Sequence, residues 1–334
     1  MAINRVLRIA GVVIAGAAIV AGCGSSAASP SAAAASGSTG GGTDRSKIDI
    51  EVVTHGQASD PFWSIFKNGV VQAGKDMGVT VNYSAPDTFD MPKMAQLITA
   101  ACAKKPQGLV ISLPDATALG PSVTACIQSG IPVISANSGS DSYAKLGILT
   151  HVGQDETIAG KAAGQRLAAA GGKNAICVNQ EVGNAGLDAR CKGFADGFAP
   201  GKSTVLGVDL KDPTAAQQKI GAALAADPTV DTVMALGPTG STPALAAIKA
   251  LSGRKINVGT FDLSKDVLQA ISDGTMLFAV DQQQFLQGYL PVVFLTYYHL
   301  YGLMPGGGQP VLTGPGFVTK DNVATVQANT GTTR

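Results

Sequence analysis

Amide, carboxylate, guanidinium and aromatic side chains gather just after the short apolar runs that this sequence should fold into β-strands. Hydroxyl groups both donate and accept hydrogen bonds, so carboxylate acceptors placed among amide and guanidinium donors suit a polyhydroxylated ligand. Aromatic faces can cover the CH surface of such a ligand. We expect a binding site that draws on these positions: His55, Asp60, Phe62, Trp63, Asp115, Asn137, Gln154, Glu181, Asn184, Asp188, Arg190, Asp262 and Gln282.

Several of these residues also have a plainer structural interpretation. Asp60 precedes a proline, Asp115 follows one and Asp155 precedes a helical pattern, so all three could cap helices. Phe62 and Trp63 could equally be core residues, although the single tryptophan of the chain stands next to a strand-end loop. The expectation of a site therefore depends on the pattern as a whole, in which every major strand end contributes polar groups.

The charges near the expected cleft favour a neutral ligand. Arg190 could pair with a ligand carboxylate, but four acidic residues are expected close to it and would repel an anion. Those residues are Asp60, Asp115, Asp155 and Asp262. Over the whole chain the formal net charge is +1 and the two signs are interspersed, so nothing predicts nucleic-acid binding.

No motif for catalysis or for a cofactor is present. The folded part lacks a Gly-x-Ser-x-Gly elbow, and no Gly-x-Gly-x-x-Gly follows the first strand. The run 197–203 approaches a phosphate loop but is one residue short and follows no strand, so it is interpreted as a surface turn. The histidines and cysteines lack metal-ligand spacing. We expect no enzyme, no cofactor and no metal; a hydrolase would need a nucleophile with a base within reach.

The N-terminus predicts export and lipidation. Arg5 and Arg8 precede an apolar stretch, 9–20, that is too short to span a membrane comfortably. Val20-Ala21-Gly22-Cys23 resembles the bacterial lipobox, so residues 1–22 are a predicted signal peptide and Cys23 the acylated first residue; a plain signal anchor with an incidental cysteine is the alternative. Residues 23–46, rich in Gly, Ser and Ala, are a predicted flexible tether at the outer face of the cytoplasmic membrane or in the periplasm.

Short β-rich runs alternate with helical patterns from residue 48 onward, which is typical of a doubly wound α/β fold. The first helix shows Phe66, Val70, Ala73 and Met77 on one face, and Gly78 should end it. We expect a first lobe of four strands in the order 2-1-3-4, and a second lobe of further strand and helix pairs. Roughly ten strands exceed one ordinary domain, so two α/β lobes with a cleft at their strand ends are the economical arrangement.

The four remaining cysteines are predicted to form two disulfides in an oxidising compartment. Cys102 and Cys126 lie on helices that right-handed crossovers place side by side. Cys177 lies in the first strand of the second lobe, and Cys191 lies in the helix that packs back on that strand. Four buried free thiols are the alternative.

The chain resembles the ribose-binding-type, or type I, periplasmic binding proteins of sugar ABC importers. The resemblance covers residues 48–318, and its most specific segments are Asp60-Pro61-Phe62-Trp63, Gly130-Ile131-Pro132-Val133-Ile134, Val152-Gly153-Gln154-Asp155-Glu156 followed by Ala159-Gly160, Arg190 ahead of Gly193-Phe194, and Gly259-Thr260-Phe261-Asp262. By match, the ligand contacts of the family fall on Phe62, Trp63, Asn137, Asp188 or Arg190, Asp262 and Gln282. Two places depart from the ribose-type pattern, Asn137-Ser138 for Asp-Arg and Gly237-Pro238 for Asn-Asp, and the runs 178–181 and 281–284 resemble a sugar-alcohol or small-sugar subgroup.

The resemblance implies two doubly wound parallel-sheet lobes joined by a three-segment hinge, with crossings near Gly153, Val280 and Gly314. The lobes would comprise 47–153 plus 282–313 and 154–281 plus 314–330. It further implies a monomer, tethered to the membrane only by its lipid, that closes over a small neutral sugar or polyol and presents it to an ABC permease. A sensor of a sugar-derived signal is the alternative; a related transcriptional repressor would need an N-terminal helix-turn-helix where this chain has a lipobox.

Overall fold

The computed structural model describes residues 44–56, 60–209, 211–251 and 253–334, which belong to one compact unit. The predicted signal peptide, Cys23 and the tether as far as residue 43 lie outside the described residues. None of the helices in the described part of the chain is both long enough and apolar enough to cross a membrane.

Strands and helices alternate along the described chain. The strands are β1 Asp49–Val53, β2 Thr80–Ser84, β3 Gly108–Ile111, β4 Val133–Asn137, β5 His151–Gly153, β6 Asn174–Asn179, β7 Lys202–Gly207, β8 Thr232–Ala235, β9 Asn257–Phe261, β10 Phe278–Asp281, β11 Val311–Leu312 and β12 Gly316–Thr319. The α-helices are α1 Pro61–Met77, α2 Met91–Ala103, α3 Ala116–Gln128, α4 Glu156–Ala169, α5 Ala185–Phe198, α6 Pro213–Ala226, α7 Pro238–Ala250, α8 Lys265–Ser272, α9 Gln284–Tyr301 and α10 Val323–Gln327.

Two sheets organise these elements into two α/β lobes, as predicted. The first sheet has the order β11-β5-β4-β3-β1-β2 and the second has the order β12-β10-β9-β8-β6-β7. All neighbouring strands are parallel except β10 and β12. The predicted order 2-1-3-4 is confirmed within the first sheet, but the prediction of four strands there was wrong. The strands β5 and β11 extend it. Strand β5, with three residues, is too short to show a hydrophobic period, whereas β11 coincides with a short final strand that the sequence predicts around residues 310–313.

The chain passes between the sheets three times, and each passage lies beside the lobe interface. It leaves the first sheet after β5 through residues 154–155, returns after β10 through 282–283, and crosses again between β11 and β12 through 313–315. Because parallel strands present their carboxyl ends at one edge, the loops that follow the strands of both sheets face each other between the lobes.

Local sequence signals explain where the first helix begins and ends. Asp60 caps α1 by accepting a hydrogen bond from the Phe62 backbone N–H, and Pro61 occupies the first turn, where no intrahelical donor is needed. The predicted apolar face of this helix is buried against the first sheet. Gly78 ends the helix with φ 67°, a left-handed conformation that glycine adopts without strain.

Both predicted disulfides are present. Cys102 of α2 bonds to Cys126 of α3, with Cα atoms 5.6 Å apart. Cys177 of β6 bonds to Cys191 of α5, with Cα atoms 5.8 Å apart. Each bridge fixes a helix within its own lobe, so neither restricts movement of one lobe relative to the other.

Candidate functional site

A cleft lies between the lobes, at the carboxyl ends of their strands. The lining residues come from both lobes and from one of the crossings. They are His55, Asp60, Phe62, Trp63, Asn137, Ser138, Gln180, Glu181, Asn184, Gly186, Leu187, Arg190, Leu236, Asp262 and Gln282.

Arg190, on α5, is the cation at the centre of this cleft, and its guanidinium is almost fully engaged by the protein. Nε and Nη2 donate to the two carboxylate oxygens of Glu156 at 2.5 and 2.9 Å. Nη1 donates to the carbonyl of Leu236, and the guanidinium lies 4.5 Å from the centroid of the Phe261 ring. Burial by itself would lower the Arg190 pKa, but the neighbouring carboxylates, above all Glu156, raise it. Arg190 is therefore a permanently charged, rigidly held donor.

Close contact between α4 and α5 sets the position of that ion pair. Four glycines let the two backbones approach: a Cβ on Gly160 would lie 2.2 Å from the Arg190 carbonyl oxygen, and one on Gly193 would lie 2.2 Å from that of Thr157. One turn further along, Cβ atoms on Gly164 and Gly197 would come equally close to backbone carbonyl oxygens of the facing helix. Because Glu156 begins α4 and Arg190 lies in the second turn of α5, this close approach aligns their side chains.

Three acidic side chains face the cleft, and burial raises the pKa of each. The pKa of Asp60 rises to about 6, and those of Glu181 and Asp262 rise to about 7. Asn184 Nδ2 donates to Glu181 at 2.7 Å, and Gln282 donates its Nε2 proton to Asp262 at 2.6 Å. Each carboxylate keeps further lone pairs, so the cleft offers more hydrogen-bond acceptors than the protein itself satisfies.

Aromatic rings and a neutral histidine form the wall contributed by the first lobe. Trp63 packs edge-on against His55 at 4.7 Å and against Phe62 at 4.9 Å between ring centroids. Burial, assisted by the charge of Arg190, lowers the pKa of His55 to about 3, so its imidazole is uncharged. Its Nδ1 lies 2.7 Å from the hydroxyl oxygen of Ser112, and its Nε2 is directed towards the second lobe.

The two lobes touch across the cleft. His55 Nε2 lies 3.6 Å from a carboxylate oxygen of Glu181, and the backbone N–H of Ala185 donates to the Pro114 carbonyl at 3.0 Å. Below this contact, at the crossings, Gln287 donates to both oxygens of Gln282 and to the Thr313 hydroxyl. The structure is therefore a closed form, in which side chains of both lobes enclose one volume.

Ten of the thirteen predicted site residues line this volume, and three do not. Asp115 caps α3 by accepting from the backbone N–H groups of Thr117 and Ala118. Asp188 is exposed and accepts from Asn179. Gln154 is fully buried in the first crossing, where it donates to Glu156. The residue types of all three matched the pattern. Asp115 is used as a helix cap, Asp188 lies on the exposed face of its helix, and Gln154 is buried away from the cleft.

The structure also brings to the cleft residues that the sequence reasoning did not select: Ser138, Gln180, Gly186, Leu187 and Leu236. Ser138 and Gln180 adjoin the selected residues Asn137 and Glu181, so their strand-end position was the available signal. Glu156 also stands in a strand-end run, after β5, but its pairing with Arg190, 34 residues away in sequence, had no signal in the sequence. In the described part of the chain, no group of three or more His, Cys, Asp or Glu residues could hold a metal ion.

Comparison with known proteins agrees with this geometry. Residues 50–299 match a family model described as a periplasmic binding protein domain. The xylose/arabinose-binding protein of Sulfolobus acidocaldarius is 25% identical over 79% of this chain and 69% of its own length. The ribose import binding protein of Haemophilus influenzae is 28% identical over 70% of this chain and 80% of its own.

Among solved structures, a carbohydrate transporter from Acidothermus cellulolyticus in complex with myo-inositol is 38% identical, with a TM-score of 0.81. The match covers 84% of this chain and 97% of that one. Two six-stranded lobes, three crossings and an enclosed polar cleft thus occur together with the family match. The chain belongs to the periplasmic binding protein family, in its type I, ribose-binding-like form.

Proposed function

We propose that this protein is an extracytoplasmic solute-binding lipoprotein that captures a small neutral sugar or sugar alcohol and delivers it to an ABC permease, with no catalytic role. The observation that carries the proposal is the enclosed cleft, to which both lobes contribute hydrogen-bonding side chains around one volume. A ligand that satisfies groups on both lobes stabilises the closed form, and a permease can distinguish that form from an open one.

Charge in the cleft supports a neutral ligand that donates hydrogen bonds. The positive charge of Arg190 is already matched by Glu156, whereas Asp60, Glu181 and Asp262 offer free acceptor positions. An anion would meet these carboxyl groups in a buried site of low polarisability, where repulsion is poorly screened. A polyol presents several hydroxyl protons to the same acceptors without any charge, and its CH face can lie on Trp63.

Myo-inositol is the first ligand to test. The Acidothermus protein crystallised with it shares 38% of aligned residues with this chain, a closer match than the two sugar-binding relatives described above. A cyclitol ring is compact, which suits a cleft so narrow that the two lobes touch across it at His55 and Glu181 and at Pro114 and Ala185. It also carries hydroxyls around its whole circumference, which suits acceptors placed on both lobes.

Membrane attachment is the second part of the proposal. The lipobox-like sequence ending in Cys23, followed by a run of small residues, supports acylation and a tether ahead of the described unit. Expressing the full chain and its Cys23→Ser variant in a bacterium that acylates lipoproteins tests this. The native chain should fractionate with membranes, and the variant should not; equal distribution of the two would overturn lipid anchoring and leave the binding proposal untouched.

Isothermal titration calorimetry of the chain from Gly24 onward tests ligand capture. The panel should hold myo-inositol, D-ribose, D-xylose, D-arabinose, D-allose, xylitol and erythritol, with an amino acid and a nucleoside as comparison. Binding of one polyol in the titration supports the proposal. In a parallel thermal-denaturation assay, that polyol at 100 times its Kd should stabilise the folded protein by about 2.7 kcal/mol. Binding of the amino acid or nucleoside alone would overturn the neutral-carbohydrate assignment.

A further inference from the structure

Gln180 is a cleft residue whose side-chain oxygen lacks a hydrogen-bond donor among the described residues. Gln180 follows β6, is 8% exposed and lines the enclosed volume. Its Oε1 is buried and has no hydrogen-bond partner among the described residues. Its sequence neighbours differ, because Asn179 donates to Asp188 and Glu181 accepts from Asn184. A buried acceptor without a donor is unfavourable, so its retention requires an explanation.

Two glycines of the second lobe make room for this amide. A Cβ on Gly237 would lie 2.7 Å from Gln180 Nε2, and a Cβ on Gly240 would lie 3.2 Å from Oε1. Gly237 has φ 177°, an extended conformation open to any residue, so its backbone does not require glycine. Because residue 237 has no side chain, the Gln180 amide can occupy the space beside it.

Asp262 faces the same space beside Gly237. The Cβ position on Gly237 lies 2.7 Å from Gln180 Nε2 and 3.9 Å from Asp262 Oδ2, so both side chains border the space beside this glycine. An amide next to a carboxylate presents acceptors and donors to two adjacent groups of a ligand. Hydroxyls on neighbouring carbons of a ring fit that arrangement, because each can donate to one acceptor and accept from an N–H.

We propose that Gln180 is a specificity-determining ligand contact, which together with Asp262 recognises a pair of neighbouring hydroxyls on the bound polyol. This inference rests on the proposed function and adds a specificity contact to it: a polyol that lacks one of the two neighbouring hydroxyls binds poorly. Discrimination arises because an analogue without the hydroxyl leaves the buried amide unpaired, whereas the native ligand satisfies it.

Calorimetry with two variants tests the contact by independent routes. Gln180→Leu removes the amide at similar size and should weaken binding of the best polyol by about tenfold to a hundredfold. Gly237→Ala should produce a loss of the same order, because the new methyl displaces the amide. Combining the two should add little further loss, since both remove one contact. Gly221→Ala, whose Cβ would meet nothing nearer than 3.9 Å, is the matched glycine control and should bind normally.

Deoxy analogues of the bound polyol separate a ligand contact from a structural role. The native chain should bind one deoxy analogue about tenfold to a hundredfold more weakly, and Gln180→Leu should lose this discrimination for that analogue alone. Unchanged affinity in Gln180→Leu, or equal weakening for every analogue, would overturn the assignment of Gln180 while leaving polyol capture intact. Failure of the native chain to bind any polyol would instead overturn both proposals.

Discussion

Replacing Asp262 by asparagine should have opposite effects on the stability of the unliganded protein and on its affinity for a ligand. Asp262 is buried in the cleft, and burial raises its pKa from 3.8 to about 7. Asparagine keeps the shape and can still accept from Gln282, but it cannot ionise. The substitution therefore removes a buried charge that the folded protein carries unfavourably at neutral pH and above.

The pKa values set the size and the sign of the stability effect. A carboxyl group whose folded pKa is raised stabilises the fold only while it is protonated, so its contribution is complete below about pH 4 and declines as the pH rises through 7. Relative to a group that does not titrate, ionisation costs about 2 kcal/mol at pH 5 and about 4 kcal/mol at pH 8. The free energy of unfolding of Asp262→Asn should exceed that of the native chain by a margin that grows with pH.

Ligand affinity should move the other way. A hydrogen bond to a charged acceptor contributes about 1.5 to 3 kcal/mol, so loss of the carboxylate should weaken binding of the polyol by about tenfold to a hundredfold. Asp115→Asn is the matched control, because Asp115 lies at the N-cap of α3 outside the cleft and asparagine caps helices equally well.

Denaturant unfolding of the unliganded proteins at pH 5 and pH 8, with calorimetry of the liganded ones, measures both effects. The reasoning is refuted if Asp262→Asn is less stable than the native chain at pH 8, or if its gain is the same at both pH values. Normal affinity in Asp262→Asn would separately refute the role of this carboxylate in binding. Asp115→Asn should leave stability and affinity within experimental error at either pH.

Two further predictions follow, one from the contact between α4 and α5 and one from a disulfide. Gly160→Ala should lower the free energy of unfolding by about 1 to 3 kcal/mol and weaken binding, because its methyl group would meet the backbone of Arg190; Gly221→Ala, an open helix position, should be neutral or stabilise by up to about 1 kcal/mol in thermal denaturation. Replacing Cys102 and Cys126 together by serine should reduce the free energy of unfolding by about 3 kcal/mol, as expected for a bridge across 24 residues, with affinity unchanged in calorimetry. A loss of affinity there would show that the bridge influences the cleft.

The order 2-1-3-4 in the first lobe could be predicted because each strand and helix carries its own local signal and their alternation is typical of a doubly wound sheet. The spacing of apolar residues predicted which face of α1 is buried, and Gly78 predicted where the helix ends. Strand β12 was not predicted because only one of its four residues is fully buried, so it lacks an apolar run, and because it pairs antiparallel with β10 only after the third crossing. A short strand forms because it pairs with the edge of a sheet, and its own few residues carry no signal of that pairing.

The kind of site, a polar cleft between two lobes, could be predicted, but not every residue that lines it. Asp188 could have been set aside from helical phase, because Leu187, Arg190 and Cys191 mark the buried face of α5 and Asp188 lies off it. Asp115 could not, since a capping aspartate and a ligand-binding aspartate occupy the same position after a strand. The pairing of Arg190 with its acidic partner depends on two helices meeting through glycines, which is a tertiary contact without a local signal.

The raised carboxyl pKa values connect the closed cleft to the capture of a ligand. In the closed form without a ligand, the carboxyl groups of Asp60, Glu181 and Asp262 lose water and gain few donors, which is why burial dominates their pKa values. That unfavourable desolvation opposes closure of the empty protein. A polyol restores the missing donors only when both lobes surround it, so the ligand binds the closed form preferentially and shifts the population towards it. The buried carboxyl groups of the cleft therefore make closure depend on the ligand, as the proposed delivery to a permease would require.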